Sequence, residues 1–139
     1  MSARTKARKR AIEALFAADL RTETATHLLN VAAEQAADRQ NQDEIFGYAK
    51  TLVAGVLENL GAIDDLLTSY AHGWSLDRMP NLDRAILRVG AYEIVFGDDV
   101  PDGVAIAEAV DIAKEYSTDD SGSFVNGVLG KIAATKGAI

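Results

Sequence analysis

The chain has 139 residues and no cysteine, with 14 Lys+Arg against 21 Asp+Glu and a formal net charge of −7. That length suits one domain spanning residues 1–139; the missing thiols exclude disulfides and thiol catalysis, and the acidity argues against broad, nonspecific nucleic-acid binding. No apolar run approaches the ~18 residues of a membrane helix, and the basic start lacks the apolar segment of a signal peptide, so a cytoplasmic protein with no membrane contact is expected.

The periodicity is helical from end to end, with only two prolines and no strand pattern. Helix one is expected from roughly Ala3 to Leu20, with Ile12, Leu15, Phe16 and Leu20 as its apolar stripe. A weaker second helix runs from Thr26 to Arg39 and would pack Leu28, Leu29, Ala32, Ala33 and Ala36. Helix three uses Ile45, Ala49, Leu52, Val53, Val56 and Leu60. Helix four uses Ile63, Leu66, Leu67 and Tyr70 at i, i+3, i+4, i+7 spacing. Met79-Pro80-Asn81 interrupts the pattern, and Asn81 is a plausible N-cap. Helix five, Leu82 to Phe96, is apolar nearly all round and reads as a central helix covered on several sides. After the turn at Gly97–Gly103, helix six puts Glu108, Asp111 and Glu115 on one face, with Val104, Ala107, Val110 and Ala113 nearer the core. A polar loop, Ser117 to Ser123, leads to helix seven, which buries Val125, Val128, Leu129 and Ile132.

The charge is unevenly placed. Arg4, Lys6, Arg8, Lys9 and Arg10 crowd the first ten residues without one acid, leaving nine bases against 21 acids elsewhere. Such a head suits an anionic partner held at one end of the protein. At 100° per residue, Arg8 falls in the sector of Ile12 and Leu15, and Lys9 lies near Phe16. A charged residue on the apolar face predicts that the first two turns project beyond the core. Phe124 sits at the edge of the inward stripe of helix seven, in line with Asp120, Gly127 and Lys131. It either widens the core or stacks an unpaired base while the cation meets phosphate. Asp120 is expected to cap helix seven.

Signals for catalysis are lacking. His27 and His72 have no metal-ligand partners at useful spacing, and Gly90 and Gly97 belong to no phosphate-binding pattern. The pairs Asp64-Asp65, Asp98-Asp99 and Asp119-Asp120 fall at expected helix ends, where capping explains them. No enzyme and no cofactor are expected.

Three segments together resemble the NusB family of transcription antitermination factors. They are the basic head running into Ala11-Ile12-Glu13-Ala14-Leu15-Phe16; Leu82-Asp83-Arg84-Ala85-Ile86-Leu87-Arg88-Val89-Gly90-Ala91-Tyr92-Glu93; and Asp99-Val100-Pro101 with Val104–Val110 and Ser123-Phe124-Val125-Asn126-Gly127-Val128-Leu129. The resemblance implies an all-α fold of seven helices in two small bundles sharing the N-terminal helix. It implies binding to the boxA RNA of ribosomal RNA leader transcripts together with NusE, a small-subunit ribosomal protein. Through other Nus factors it implies a link to the RNA polymerase elongation complex. Some members self-associate, so a homodimer is a further expectation.

Carried onto this sequence, the arginine-rich motif falls on Arg4, Lys6, Arg8 and Arg10, with Lys9 offsetting Thr5, where an arginine is often found. The RNA surface continues onto Asp120, Ser121 and Phe124, in the loop before the last helix. The NusE-facing acids correspond to Asp77 and Asp83. Two other readings remain: an RNA-positioning module related to rRNA methyltransferase domains, and a structural helical dimer with an incidental basic head.

Overall fold

In the computed structural model, residues 1–37 and 39–138 are described. Among them the chain forms seven α-helices and no strand: α1 (Ala3–Leu20), α2 (Ala25–Gln35), α3 (Gln42–Glu58), α4 (Leu60–Tyr70), α5 (Asn81–Val95), α6 (Asp102–Tyr116) and α7 (Asp119–Thr135). A short 3-10 turn, Lys136–Ala138, follows.

Local chemistry sets most of the helix starts. Ser2, Thr24 and Thr118 each have extended backbone, and each side-chain oxygen accepts an amide N–H three residues on: from Thr5, His27 and Ser121. These satisfy donors that would otherwise be orphaned in the first turns. At α5 and α6 the residue before the helix is a proline, Pro80 and Pro101, whose fixed φ suits a helix entrance. Asn81 is therefore not the cap that the sequence suggested. It is the first residue of α5, and its Oδ1 accepts from Arg84 Nη2 at 2.9 Å. Asp120 is likewise no cap: Thr118 takes that place, and Asp120 lies in the first turn of α7.

α5 is the central helix, packed against α1, α3, α4, α6 and α7. α1, α2 and α3 touch one another on one side of it; α4, α6 and α7 gather on the other. α1 also reaches α6 through its side chains, Thr5 and Arg8 donating to Glu108 and Lys9 pairing with Glu115, so the first helix serves both groups, the expected pair of bundles sharing it. The buried side chains form one continuous cluster, with Ile12, Leu52, Ile86, Leu129 and Ile132 almost wholly enclosed. Gly55 lets α3 approach α5 closely, because a Cβ there would run into the ring of Tyr92.

Several expectations shift in register. Leu20 is 61% exposed, so the apolar stripe of α1 ends a turn earlier. The inward face of α6 is Ala105, Ala109, Ile112 and Ala113, while Val104 and Ala107 face solvent. α2 stops at Gln35; its expected extension to Arg39 crosses Asp38, which lies outside the described residues. Asp64 and Asp65 fall inside α4 rather than at its end, and Asp64 accepts two hydrogen bonds from Arg88, each 3.0 Å. The inward stripe of α7 is as expected: Val125, Val128, Leu129 and Ile132 are all buried.

Candidate nucleic-acid interface

The basic head does not project. Arg8 stands one turn before Ile12 on α1, on the face turned to the core, and is 3% exposed. Its Nε and Nη2 donate to the two carboxylate oxygens of Glu93 at 2.8 and 2.9 Å. Glu93 belongs to α5 and is itself buried. Arg8 Nη1 donates to Glu108 at 2.9 Å, and the hydroxyls of Thr5 and Tyr48 donate to Glu108 and Glu93. Burial alone would lower the Arg8 pKa, but the hydrogen bonds and charge of Glu93 outweigh it and raise it. Tyr48 is pushed well above the usual phenol range by burial and by its bond to Glu93. A cation on the apolar face is thus accommodated by a buried acid on the facing helix, and Arg8 holds α1 against α5.

Of the other head cations, Arg4, Lys6 and Arg10 lie at the surface and Lys9 is mostly covered; all but Lys6 meet acids of the same chain. Arg4 Nη2 is 2.8 Å from Asp99, Arg10 Nη1 is 2.9 Å from Glu13, and Lys9 pairs with Glu115. The Arg4 guanidinium also lies 4.3 Å from the centre of the Tyr48 ring. Lys9 is largely covered, whereas the side chains of Arg4 and Arg10 keep 45% and 39% of their exposure. Lys6 is exposed and makes no ion pair among the described residues. Exposed ion pairs of this kind contribute roughly 0–1 kcal/mol, so an arriving phosphate can exchange with Asp99 or Glu13 at small cost. Glu108 and Glu115 consequently serve the head, rather than forming a free acidic face.

The second group expected at the site lies on the first turns of α7 rather than in a loop. Ser121 Oγ donates to Asp83 Oδ2 at 3.2 Å. Phe124 is half-buried, and its ring centre is 6.0 Å from that of Trp74, with a tilt of 48°. Trp74, Pro80, Asp83, Asp120, Ser121 and Phe124 line a pocket of about 340 Å³. Asp83 is 4% exposed, and its Oδ1 has no hydrogen-bond partner. Burial raises its pKa against the opposing pull of Ser121.

The two acids expected to face a protein partner therefore sit in different settings. Asp77 is exposed on the segment between α4 and α5, while Asp83 is enclosed beside α7. Sequence reasoning passed over Trp74. Its signal was present, as the single tryptophan of the chain in a polar stretch after Gly73. Among the described residues no group of three His, Cys, Asp or Glu could hold a metal ion, and no helix is long and apolar enough to cross a membrane.

The model of the NusB family matches residues 5–134. The chain belongs to the NusB family. The transcription antitermination protein NusB of Leifsonia xyli subsp. xyli is 54% identical over 136 residues, covering 98% of this chain and 94% of that protein. The corresponding protein of Clavibacter sepedonicus is 50% identical, covering 98% and 99%. The solved structure of T. maritima NusB superposes with a TM-score of 0.83 at 36% identity, over 98% of this chain and 97% of that one. A chain from a structure of the antitermination factors NusB and NusE in complex with dsRNA gives 0.85 at 30% identity, over 97% and 98%. The all-α fold and the family resemblance read from the three sequence segments are both borne out.

Proposed function

We propose that this chain is a transcription antitermination factor that binds boxA RNA of ribosomal RNA leader transcripts jointly with NusE. The observation that carries the proposal is the likeness, along nearly the whole chain, to a protein solved with NusE and double-stranded RNA. The role is recognition without catalysis, in the cytoplasm, with other Nus factors linking the complex to RNA polymerase.

The residues divide the work. Lys6 meets phosphate first, because it is exposed and among the described residues has no acid to release. Arg4 and Arg10 follow by exchanging Asp99 and Glu13 for phosphate oxygens, and Arg offers two parallel N–H donors to such a group. Lys9, mostly covered and paired with Glu115, adds charge at longer range. Arg8, buried against Glu93, touches no RNA; it fixes the helix that presents its neighbours. Phe124 and Ser121 reach bases at the start of α7, where Asp120 keeps phosphate at a distance. Asp77 offers an exposed carboxylate to a basic ribosomal protein, and such charge complementarity speeds encounter. Each contact is weak alone, and joining RNA and protein surfaces on one chain raises the effective concentration of the third member.

An electrophoretic shift assay with boxA RNA, this chain and NusE tests the proposal. A ternary band formed with far less of either protein than each needs alone supports it. Independent, additive binding of the two proteins contradicts it.

A further inference from the structure

Arg4 is held in place more firmly than an exposed cation at a helix start would be by its helix alone. It lies in the first turn of α1, which contains no acid, so the positive end of the helix dipole opposes it. Its guanidinium has two partners from elsewhere in the fold. Nη2 donates to Asp99 at 2.8 Å, and the guanidinium carbon stands over the ring of Tyr48, 4.3 Å from its centre. Among the described residues, Arg4 is the one exposed head cation that lies over an aromatic ring. Tyr48 belongs to the second turn of α3 and is half-buried. Its hydroxyl donates to Glu93, whose carboxylate the buried Arg8 grips with two bonds. Burial and Glu93 push the phenol well above its usual range, so Tyr48 stays a donor. Arg8, Glu93, Tyr48 and Arg4 thus form one chain of contacts from the core to the surface.

We propose that Tyr48 is a positioning residue for RNA binding, its ring holding the flat face of the Arg4 guanidinium and leaving the edge for phosphate. A guanidinium can engage in two directions at once. Its face is drawn to the electrons of an aromatic ring, while its N–H donors point outward in its own plane. Asp99 takes that edge through one N–H, and its side chain is 66% exposed. A phosphate that displaces Asp99 occupies the edge and leaves the face on Tyr48, so Arg4 keeps its place through the exchange. Without the ring, an Arg4 side chain released by Asp99 would sample many rotamers. Ordering it on RNA would then weaken binding by roughly two- to tenfold. The hydroxyl bond to Glu93 anchors the far end of the ring, which ties the buried ion pair to the presentation of a surface cation. Tyr48 thereby adds a residue of α3 to the proposed RNA site, an addition that rests on the RNA-binding reading above.

The test is a double-mutant cycle read by the anisotropy of labelled boxA RNA titrated with the full chain. Tyr48→Leu and Tyr48→Met both remove the ring and keep an apolar side chain, so either serves if the other does not fold; circular dichroism shows which do. Each should bind RNA roughly two- to tenfold more weakly than the parent. Tyr48→Phe keeps the ring and loses only the hydroxyl bond to Glu93. It should recover most of the affinity, even where urea unfolding shows it to be less stable than the parent. In an Arg4→Ala background the ring has no cation to hold, so Tyr48→Leu should change affinity by less than about twofold there.

Undiminished affinity of folded Tyr48→Leu or Tyr48→Met overturns the inference and leaves the RNA reading intact. Affinity of Tyr48→Phe as weak as that of Tyr48→Leu also overturns it, because the effect would then follow the hydroxyl and the packing rather than the ring. The same loss from Tyr48→Leu with and without Arg4 shows that Tyr48 acts independently of Arg4, which contradicts a positioning role. Undiminished affinity of Arg4→Ala removes Arg4 from the interface and the inference with it, while Lys6 and Arg10 remain as contacts. No anisotropy change with the parent chain, with or without NusE, removes both the inference and the reading beneath it.

Discussion

Arg8 of α1 and Glu93 of α5 form a two-pronged ion pair, 2.8 and 2.9 Å long, with side chains only 4% and 2% exposed. The pair joins the first helix to the central one, and with it the two bundles. Removing one member of such a pair leaves the other charge buried without a counter-ion, which costs far more than the pair contributes when intact.

Arg8→Ala should therefore destabilise the protein by about 3–5 kcal/mol. Urea unfolding followed by circular dichroism measures it. Arg8→Lys should recover only part of the loss, because an ammonium cannot bond both carboxylate oxygens in the same fork geometry. A stability change below ~0.5 kcal/mol for Arg8→Ala would show that the pair is not structural.

Lys6→Ala and Arg10→Ala should leave stability within ~0.5 kcal/mol of the parent, since both side chains lie at the surface. Each should weaken RNA binding and reduce the slope of log K against log salt by about 0.7, the value for one lost contact to single-stranded RNA. Binding titrations at three salt concentrations check this, and an unchanged slope would place these cations outside the interface.

Asp99→Asn should tighten binding to boxA and scrambled RNA alike, because it frees Arg4 without adding any base contact. Asp120→Asn should also tighten binding, by removing a negative charge beside the pocket. Weaker binding by Asp120→Asn would mean that its carboxylate accepts from a base rather than repelling the backbone.

Asp83→Asn should raise folding stability at neutral pH. Burial raises the folded carboxyl above its ordinary value of 3.8, so the folded state holds its proton more tightly than the unfolded one. Stability then falls as pH rises from 3.8 through the folded value, and the amide escapes that loss. Thermal unfolding of both forms should show a gain at neutral pH that disappears below the ordinary carboxylate range. The same gain at every pH would rule out ionisation as its cause.

Gly55→Ala should destabilise by about 1–3 kcal/mol, the usual cost of overpacking, because the added methyl meets the ring of Tyr92. Tyr92→Leu in the same background should recover part of the loss. Full stability of Gly55→Ala alone would show that α3 and α5 have room to separate.

The sequence carried the fold better than the site. Periodicity placed all seven helices, since apolar stripes such as Ile63, Leu66, Leu67 and Tyr70 depend only on neighbours along one helix. The charge of the head was equally plain. Where its charges point was not, because that depends on Glu93, 85 residues away. A buried acid near the end of an apolar helix and a base on an apolar face were the two halves of one signal, visible only once the helices pack. Val104 failed for a related reason: on α6 the small residues Ala105 and Ala109 pack inward, which no hydrophobicity ranking favours. Trp74 gave no helical pattern to read, and only the approach of α7 shows what it is beside.

Joint and selective recognition of RNA is measurable by fluorescence anisotropy. Labelled boxA RNA and a scrambled RNA of the same composition are titrated with the chain, with and without NusE, at one fixed salt concentration. The chain alone should show a modest preference for boxA, widened on the order of tenfold or more when NusE is present, as linked surfaces require. Equal affinity for both RNAs in every mixture would contradict it.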